Sequence, residues 1–202
     1  MHAFGAMKFL RDGPAPLTLA SLGCSPPDSR PTRAVTAWTP LTDAESAHGW
    51  DRVERELQFH PSVDPRHWPG FVPPTPHRTY AIGHVYGPSP ERAAALEADL
   101  ERAAAQAFRA VTRAGERVLA LDWQHASYWL DPHALIVGAE WTVPALPNGD
   151  YYLFLAPDLR WGWLGHPWEQ TITLYGEPLL AAIDRAPPTL FSQVIREALG
   201  AA

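Results

Sequence analysis

The chain has 202 residues, of which 46% are hydrophobic and 19% charged. Nine Trp, seven Phe and six Tyr supply too much buriable area for a chain that is disordered throughout. The formal net charge of −6 repels phosphate groups, so we expect neither nucleic acid nor a membrane surface as a partner.

Cysteine usage favours a reducing compartment. The single cysteine, Cys24, excludes an intramolecular disulfide and a cysteine-based zinc site. Residues 15–24 resemble a lipoprotein signal that ends in this cysteine, but the apolar stretch is only about 8–10 residues long, and Asp12 and two prolines interrupt it. No segment approaches the roughly 20 apolar residues that span a bilayer. We therefore expect a cytoplasmic protein.

The first part of the chain divides into a tail and the start of a domain. Residues 1–33 are rich in Pro and Ser and lack hydrophobic periodicity, which predicts a flexible tail before a single α+β domain over 34–202. Thr42 and Glu45 have the spacing of a capping box and predict a first helix over 43–57. Repeated prolines between 61 and 76 predict a surface loop, and alternation over 79–86 predicts a strand.

The clearest predicted element is a helix over 90–114. Ser89 can cap it, Pro90 occupies the first helical position, and Gly115 follows its end. Its continuous apolar stripe predicts a scaffold helix. We expect no chemistry from its exposed charges.

After this helix the hydrophobic period changes from 3.6 to 2. Strands are predicted over 118–123 and 127–130, followed by an antiparallel meander over 151–156, 160–164 and 170–175. Helices over 177–184 and 189–199 close the chain, and Thr189 caps the second of them. Together these elements predict an α+β fold with an antiparallel sheet of about five or six strands and helices packed mainly on one face.

Polar residues concentrate at the predicted strand ends and turns of the second half, where a rigid scaffold presents functional groups. Neighbouring indoles would give these groups apolar walls, which is the composition of a ligand pocket. The eight candidate pocket residues are Asp122, Gln124, His125, Trp129, Asp150, His166, Trp168 and Glu169.

Structural roles are open for the same residues. Residues 148–150 have the composition of a turn that tolerates positive φ. His125 and His166 could each be a buried histidine paired with a carboxylate or carbonyl, and Glu169 could pair with His166 or an arginine. Tryptophans in strands are mostly core residues.

The sequence has no cofactor or metal motif. None of the nine histidines has the spacing of a helical metal-binding pair, so a site built from His125, Asp150 and His166 would be assembled only by tertiary contact. No Gly-x-Ser-x-Gly, phosphate loop or dinucleotide fingerprint occurs. We therefore assign no cofactor and no metal ligand.

Several motifs resemble an uncharacterised bacterial family, domain of unknown function 2716. They are Ala120–His125, Tyr128–Trp129, Pro147–Tyr152 and Gly165–Ile172, followed by Gly176. The resemblance covers about residues 35–199. It implies a bacterial, cytoplasmic α+β domain, with no established activity to transfer to this chain.

These observations support several hypotheses about function. The first is a binding or interaction module that takes an unknown protein or small-molecule ligand in a Trp-lined pocket. A toxin-neutralising immunity-type protein is a variant of this hypothesis, by analogy with other small acidic domains. The second is a small hydrolase using His125, Asp150, His166 and Glu169, which requires these side chains to converge. In the third, the same residues only stabilise turns. Whether the protein is an enzyme is left open.

Overall fold

A computed structural model describes residues 36–136 and 138–200. The predicted tail over 1–33 lies outside the described residues. The helices are α1 (Asp43–Glu56), α2 (Pro90–Val111) and α3 (Glu177–Arg185). The strands are β1 (Trp38–Pro40), β2 (His77–Ala81), β3 (Val118–Asp122), β4 (Tyr128–Leu130), β5 (Tyr152–Leu155), β6 (Gly162–His166), β7 (Thr171–Tyr175) and β8 (Val194–Ala198). None of the described helices is long and apolar enough to cross a membrane.

The described strands form one antiparallel sheet in the order β1-β4-β3-β5-β6-β7-β2-β8. The α+β class is confirmed, but the predicted count of five or six strands is wrong, because this sheet has eight. β1 is only three residues long, too short for an alternation pattern, and it forms because it pairs with β4. The predicted strand over 79–86 is shorter, since a 3₁₀ turn replaces its second half at Gly83–Tyr86.

β8 replaces the helix predicted over 189–199, and that prediction is wrong. The segment lies along β2 as an edge strand. Two ion pairs hold it there: Arg196 contacts Glu169, and Glu197 lies 2.8 Å from Arg78. Thr189 does not cap a helix; its N–H donates instead to Asp99 of α2. These contacts with distant parts of the chain override a local helix preference.

The two long predicted helices are confirmed, and local signals fix where they start, but α2 ends at Val111, three residues before the predicted end. The capping box of α1 is formed in both directions between Thr42 and Glu45. In α2, the Ser89 hydroxyl accepts from the Arg92 N–H, and Pro90 begins the helix.

The two faces of the sheet carry separate hydrophobic clusters, because successive strand residues point to opposite sides. One face packs against α2 and α3, and its central register row is Ala120, Phe154, Trp163 and Leu174. The other face packs against α1 and the proline-rich loop, and its row includes Leu121, Leu153 and Leu164. Two of the three described helices therefore share one face.

Phe108 of α2 is the centre of the larger cluster. Its ring centroid lies 5.2 Å from that of Phe154, 5.6 Å from Trp161 and 5.8 Å from Trp163. Each such aromatic pair contributes about 0.5–1.5 kcal/mol beyond the area that it buries. This packing fixes α2 rigidly over the sheet.

Candidate functional site

Four of the eight predicted pocket residues come together at one end of β3 and β5. Asp122 is the last residue of β3 and is the register partner of Tyr152 on β5. Asp150 stands two residues before Tyr152 in the chain. The His125 ring bridges them, with Nδ1 3.0 Å from Asp122 Oδ1 and 3.6 Å from Asp150 Oδ2. Gln124 takes part through its backbone N–H, which donates a hydrogen bond to Asp150 Oδ2 at 3.1 Å. We call this group the Asp–His cluster.

The carboxylates of the Asp–His cluster are buried, but its imidazole is exposed. The side chains of Asp122 and Asp150 are 10% and 5% exposed, whereas that of His125 is 71% exposed. Burial raises the pKa of Asp150, and the neighbouring Asp122 charge raises it further, although the Tyr151 N–H bond opposes both. The hydrogen bond to Asp122 and its negative charge raise the pKa of His125. A protonated His125 therefore neutralises part of a crowded negative site.

The Asp–His cluster also has the donor set of a divalent metal site. One ligand atom from each of Asp122, His125 and Asp150 lies within 4.8 Å of the other two. Carboxylate oxygen and imidazole nitrogen suit several divalent ions. The same carboxylates accept hydrogen bonds from His125 and from the N–H groups of Gln124 and Tyr151.

His166 is a core histidine whose hydrogen bonds are all internal. It is fully buried, and its Nδ1 accepts the Glu169 N–H at 3.0 Å, so its single proton is placed on Nε2. This Nε2 lies 3.1 Å from the Tyr151 hydroxyl, which in turn exchanges hydrogen bonds with the Ser62 backbone. Burial lowers the pKa of His166 to about 4, so the ring is neutral at physiological pH. His166 is therefore buried, as one alternative held, but its partners are a backbone N–H and a hydroxyl and not a carboxylate or carbonyl.

Glu169 anchors the edge strand β8. Its two carboxylate oxygens each accept a hydrogen bond from Arg196 at 2.6 Å, and the Thr171 hydroxyl donates to one of them at 2.9 Å. Burial acts to raise the pKa of Glu169, but the hydrogen bonds and charge of Arg196 outweigh it and hold the pKa below its ordinary value. This carboxylate is engaged in structure and is not free to react.

The two remaining predicted residues, both tryptophans, pack against the hydrophobic cluster on the α1 side of the sheet. Trp168 packs with its ring centroid 5.2 Å from that of Tyr151. Trp129 belongs to the α1 side of the sheet, where its indole N–H donates to Glu45 at 3.1 Å and the Arg117 guanidinium lies 4.6 Å from its ring centroid.

The eight candidate residues therefore do not form a single pocket. Tyr152, the register partner of Asp122, belongs to the α2 side, whereas Tyr151, the side-chain partner of His166, belongs to the α1 side. No hydrogen bond or ion pair recorded for the described residues joins His125 or Asp150 directly to His166 or Glu169. The convergence required by the four-residue hydrolase hypothesis is absent there. Strand alternation is the cause, because it sends neighbouring residues to opposite faces.

A cleft that the sequence analysis missed lies along α2. It is bounded by α2 on one side and by Leu135–Ile136 and residues 138–141 on the other, and its volume is about 450 Å³. A second hollow of about 380 Å³ shares part of this lining and continues to Asn148. The shared residues are Ala98, Glu101, Glu140 and Trp141. We call the two hollows together the α2 groove.

The acidic residues of the α2 groove have no hydrogen-bond or ion-pair partner among the residues that the structure describes. Within 36–136 and 138–200, no recorded hydrogen bond or ion pair engages the carboxylates of Glu97, Glu101 or Glu140. Burial, and then the charge of Glu97, raises the pKa of Glu101 to about 7. The two arginines of the lining are already occupied.

Arg109 and Arg102 each have a structural task. Arg109 donates to the backbone carbonyls of Pro132 and Leu135, which ties the second wall to α2. Arg102 pairs with Asp99 on the same helix. The groove consequently has a second wall tied to α2, and its two arginines pair with none of the three groove carboxylates.

One sequence signal could have indicated this site. Glu97 and Glu101 stand four residues apart on the helix, a spacing at which like charges destabilise a helix by a few tenths of a kcal/mol. The sequence analysis expected no chemistry from the exposed charges of α2 and did not single out this half-buried pair. The second wall could not have been anticipated, because it is brought to α2 by tertiary contacts.

Most of the chain is similar in sequence to known proteins. The family described as "Protein of unknown function (DUF2716)" matches residues 40–180, a range that includes the Asp–His cluster and the α2 groove. The chain is also similar to Uncharacterized protein YxiI of Bacillus subtilis (strain 168), with 36% identity over 159 residues, covering 76% of this chain and 96% of the relative. No solved structure matches. The chain therefore belongs to the DUF2716 family of proteins of unknown function.

Proposed function

We propose that this protein is a binding module and that the α2 groove is its binding site. The observation that carries the proposal is Glu101, a half-buried carboxyl without a partner in the described residues, in the wall of a largely apolar cleft of about 450 Å³. Ligand sites in proteins usually occupy about 300–1,000 Å³ and combine apolar walls with a few polar groups. The proposed binding site is therefore a different cleft from the Trp-lined pocket that the sequence predicted, and the tryptophan in its lining is Trp141.

The electrostatic cost of Glu101 supports the same proposal. A buried carboxylate without a partner costs free energy that the rest of the fold must offset. Strongly perturbed titratable groups in clefts are frequent at functional sites. A ligand that brings a hydrogen-bond donor or a positive charge would recover this free energy on binding.

The kind of partner follows from the charge of the site. Carboxylates along the groove, on a chain of net charge −6, disfavour a phosphate-rich ligand. We therefore propose a protein or small-molecule partner, in a cytoplasmic setting and without nucleic acid. Toxin neutralisation would be a special case in which the toxin occupies the groove.

A steric block tests this proposal. Ala98 lines both hollows and is exposed on α2, so Ala98→Trp should fill the groove without disturbing the core. Ala110→Trp, at an exposed position of the same helix outside the groove, is the matched control. The full chain should be screened by thermal shift against metabolites and peptides. Ligands should stabilise the unmodified chain and Ala110→Trp but not Ala98→Trp; equal stabilisation of both variants would disprove the proposal.

A second candidate function is favoured by the geometry of the Asp–His cluster. Asp122 holds His125 Nδ1, and the ring is largely exposed, so its second nitrogen is available to accept or donate a proton. This arrangement revises the hydrolase hypothesis, because Asp122 joins His125 and Asp150, whereas His166 and Glu169 are left out. Any turnover found on a hydrolase substrate panel should be lost in His125→Ala and kept in His84→Ala, an exposed histidine elsewhere. Activity that survives in His125→Ala would eliminate this candidate.

A further inference from the structure

We infer that the occupant of the α2 groove is a segment of a partner protein in which Lys or Arg stands beside large apolar side chains. This inference rests on the proposed function, because it names the partner of the same site. It follows from the length of the groove, from its charge and from its apolar lining.

The groove is long and continuous. Its helical wall runs from Ala94 to Arg109, which corresponds to roughly 22 Å at a rise of 1.5 Å per residue. The two hollows share four lining residues, so one occupant can pass from one into the other. A compact metabolite would fill one hollow, whereas about seven residues of extended chain would cover the whole length.

The charge along this length is distributed unevenly. Glu97, Glu101 and Glu140 all line the hollow that leads to Asn148. Arg102 and Arg109, which line the other hollow, are held by Asp99 and by backbone carbonyls. The hollow that leads to Asn148 is thus lined by three carboxylates and no arginine. The other hollow shares two of these carboxylates but also contains both arginines, so its net charge is small. Charge complementarity therefore calls for a basic group over Glu101.

The remaining lining calls for apolar side chains beside that basic group. Ala98 and Ala105 present only Cβ atoms from α2, which leaves room above the helix. Leu135 and Trp141 form the facing wall, and Ile136 is 75% exposed at its rim. A large apolar side chain of the partner would remove Ile136 from water. A hydrophilic polyamine would satisfy the carboxylates but not this surface.

Three labelled probe peptides of about 12 residues, long enough to cover the groove, separate these requirements. One alternates Leu with Lys, the second alternates Leu with Glu, and the third alternates Ser with Lys. Binding to the full chain is measured by fluorescence anisotropy at about 50 and about 300 mM NaCl. We expect the Leu/Lys peptide to bind at least about tenfold more tightly than the other two, and to weaken at higher salt.

Variants then assign this binding to the groove. Glu101→Gln should weaken the Leu/Lys peptide about tenfold, and Ala98→Trp should abolish its binding. Glu54→Gln, which removes an exposed carboxylate from α1, should leave the affinity unchanged. Glu101→Gln and Glu54→Gln have the same net charge, so non-specific attraction affects both equally.

The results distinguish failure of the inference from failure of the proposed function. Equal binding of the three peptides, equal affinities of Glu101→Gln and Glu54→Gln, or a simple long-chain alkylamine that binds as tightly as the peptide would each overturn the inference. If Ala98→Trp still blocks some neutral ligand from the thermal-shift screen, the proposed binding function stands and only the inference about the partner fails. If Ala98→Trp blocks nothing, both fail.

Discussion

Glu101→Gln tests the electrostatics of the α2 groove without any ligand. Burial and the Glu97 charge raise the pKa of the Glu101 carboxyl from 4.5 to about 7. Because this pKa is higher in the folded chain than in the unfolded chain, the folded chain binds the proton more tightly between these two values. Folding stability is therefore lost as the pH rises from 4.5 through about 7.

The size of this loss can be bounded from the same values. At about 1.4 kcal/mol for each pH unit, the displacement corresponds to at most roughly 3–4 kcal/mol. The groove is open to solvent on one side, and screening reduces the expected loss to about 1 kcal/mol. Glutamine has nearly the same shape but no ionisation, so the variant avoids the loss.

The assay is urea unfolding of the unmodified chain, Glu101→Gln and the control Glu54→Gln at about pH 5 and about pH 8.5, on either side of the displaced pKa. The free energy of unfolding of Glu101→Gln, minus that of the unmodified chain, should be about 1 kcal/mol larger at the higher pH than at the lower pH, so that the variant is relatively more stable there. Glu54→Gln should show no such change, since its carboxylate is exposed. A pH-independent difference for Glu101→Gln would refute the claim that this carboxyl is held in an unfavourable environment.

The other predictions concern residues with structural tasks. His166→Ala should lower the free energy of unfolding by at least about 3 kcal/mol in denaturant titrations, since it leaves a cavity and unpaired polar groups. Because folding lowers the pKa of His166 from 6.5 to about 4, the unmodified chain should lose stability as the pH falls through this range, and the variant should lose less. Arg196→Ala should speed amide hydrogen exchange in β8 without affecting the central strands, because it removes the ion pair with Glu169. Exchange rates in β8 that are the same in the variant and in the unmodified chain would contradict the anchoring role. In NMR titrations, the pKa of His125 should lie above 6.5 and fall in Asp122→Asn, and an unshifted His125 would show that the hydrogen bond between them does not form in solution.

Some elements of this fold were predictable because neighbouring residues determine them. The capping box of Thr42 and Glu45 fixes the start of α1, and Ser89 with Pro90 fixes the start of α2. The β5–β7 meander follows from alternation and from short turns. The family assignment was likewise readable from separated motifs in the correct order.

Only part of the candidate site could be predicted in this way. Asp122 and His125 are three residues apart, and a single strand end places them together. Asp150 joins them because β5 pairs with β3, a pairing that the sequence analysis did not predict. His166, by contrast, lies one register position away from that group and so points to the opposite face. A spacing along the chain cannot reveal this difference unless the register is known.

The sequence by itself determined the α+β class, the starts of the two long helices and the central meander, because capping and hydrophobic periodicity are local properties. Tertiary structure alone decided that residues 194–198 form a strand, since the Arg196–Glu169 ion pair and the pairing with β2 outweigh helix propensity. It also decided where the groove lies, because α2 and the segment around Trp141 meet through contacts between residues far apart in the chain. Burial of Glu101 is a consequence of that meeting, and no local pattern encodes it.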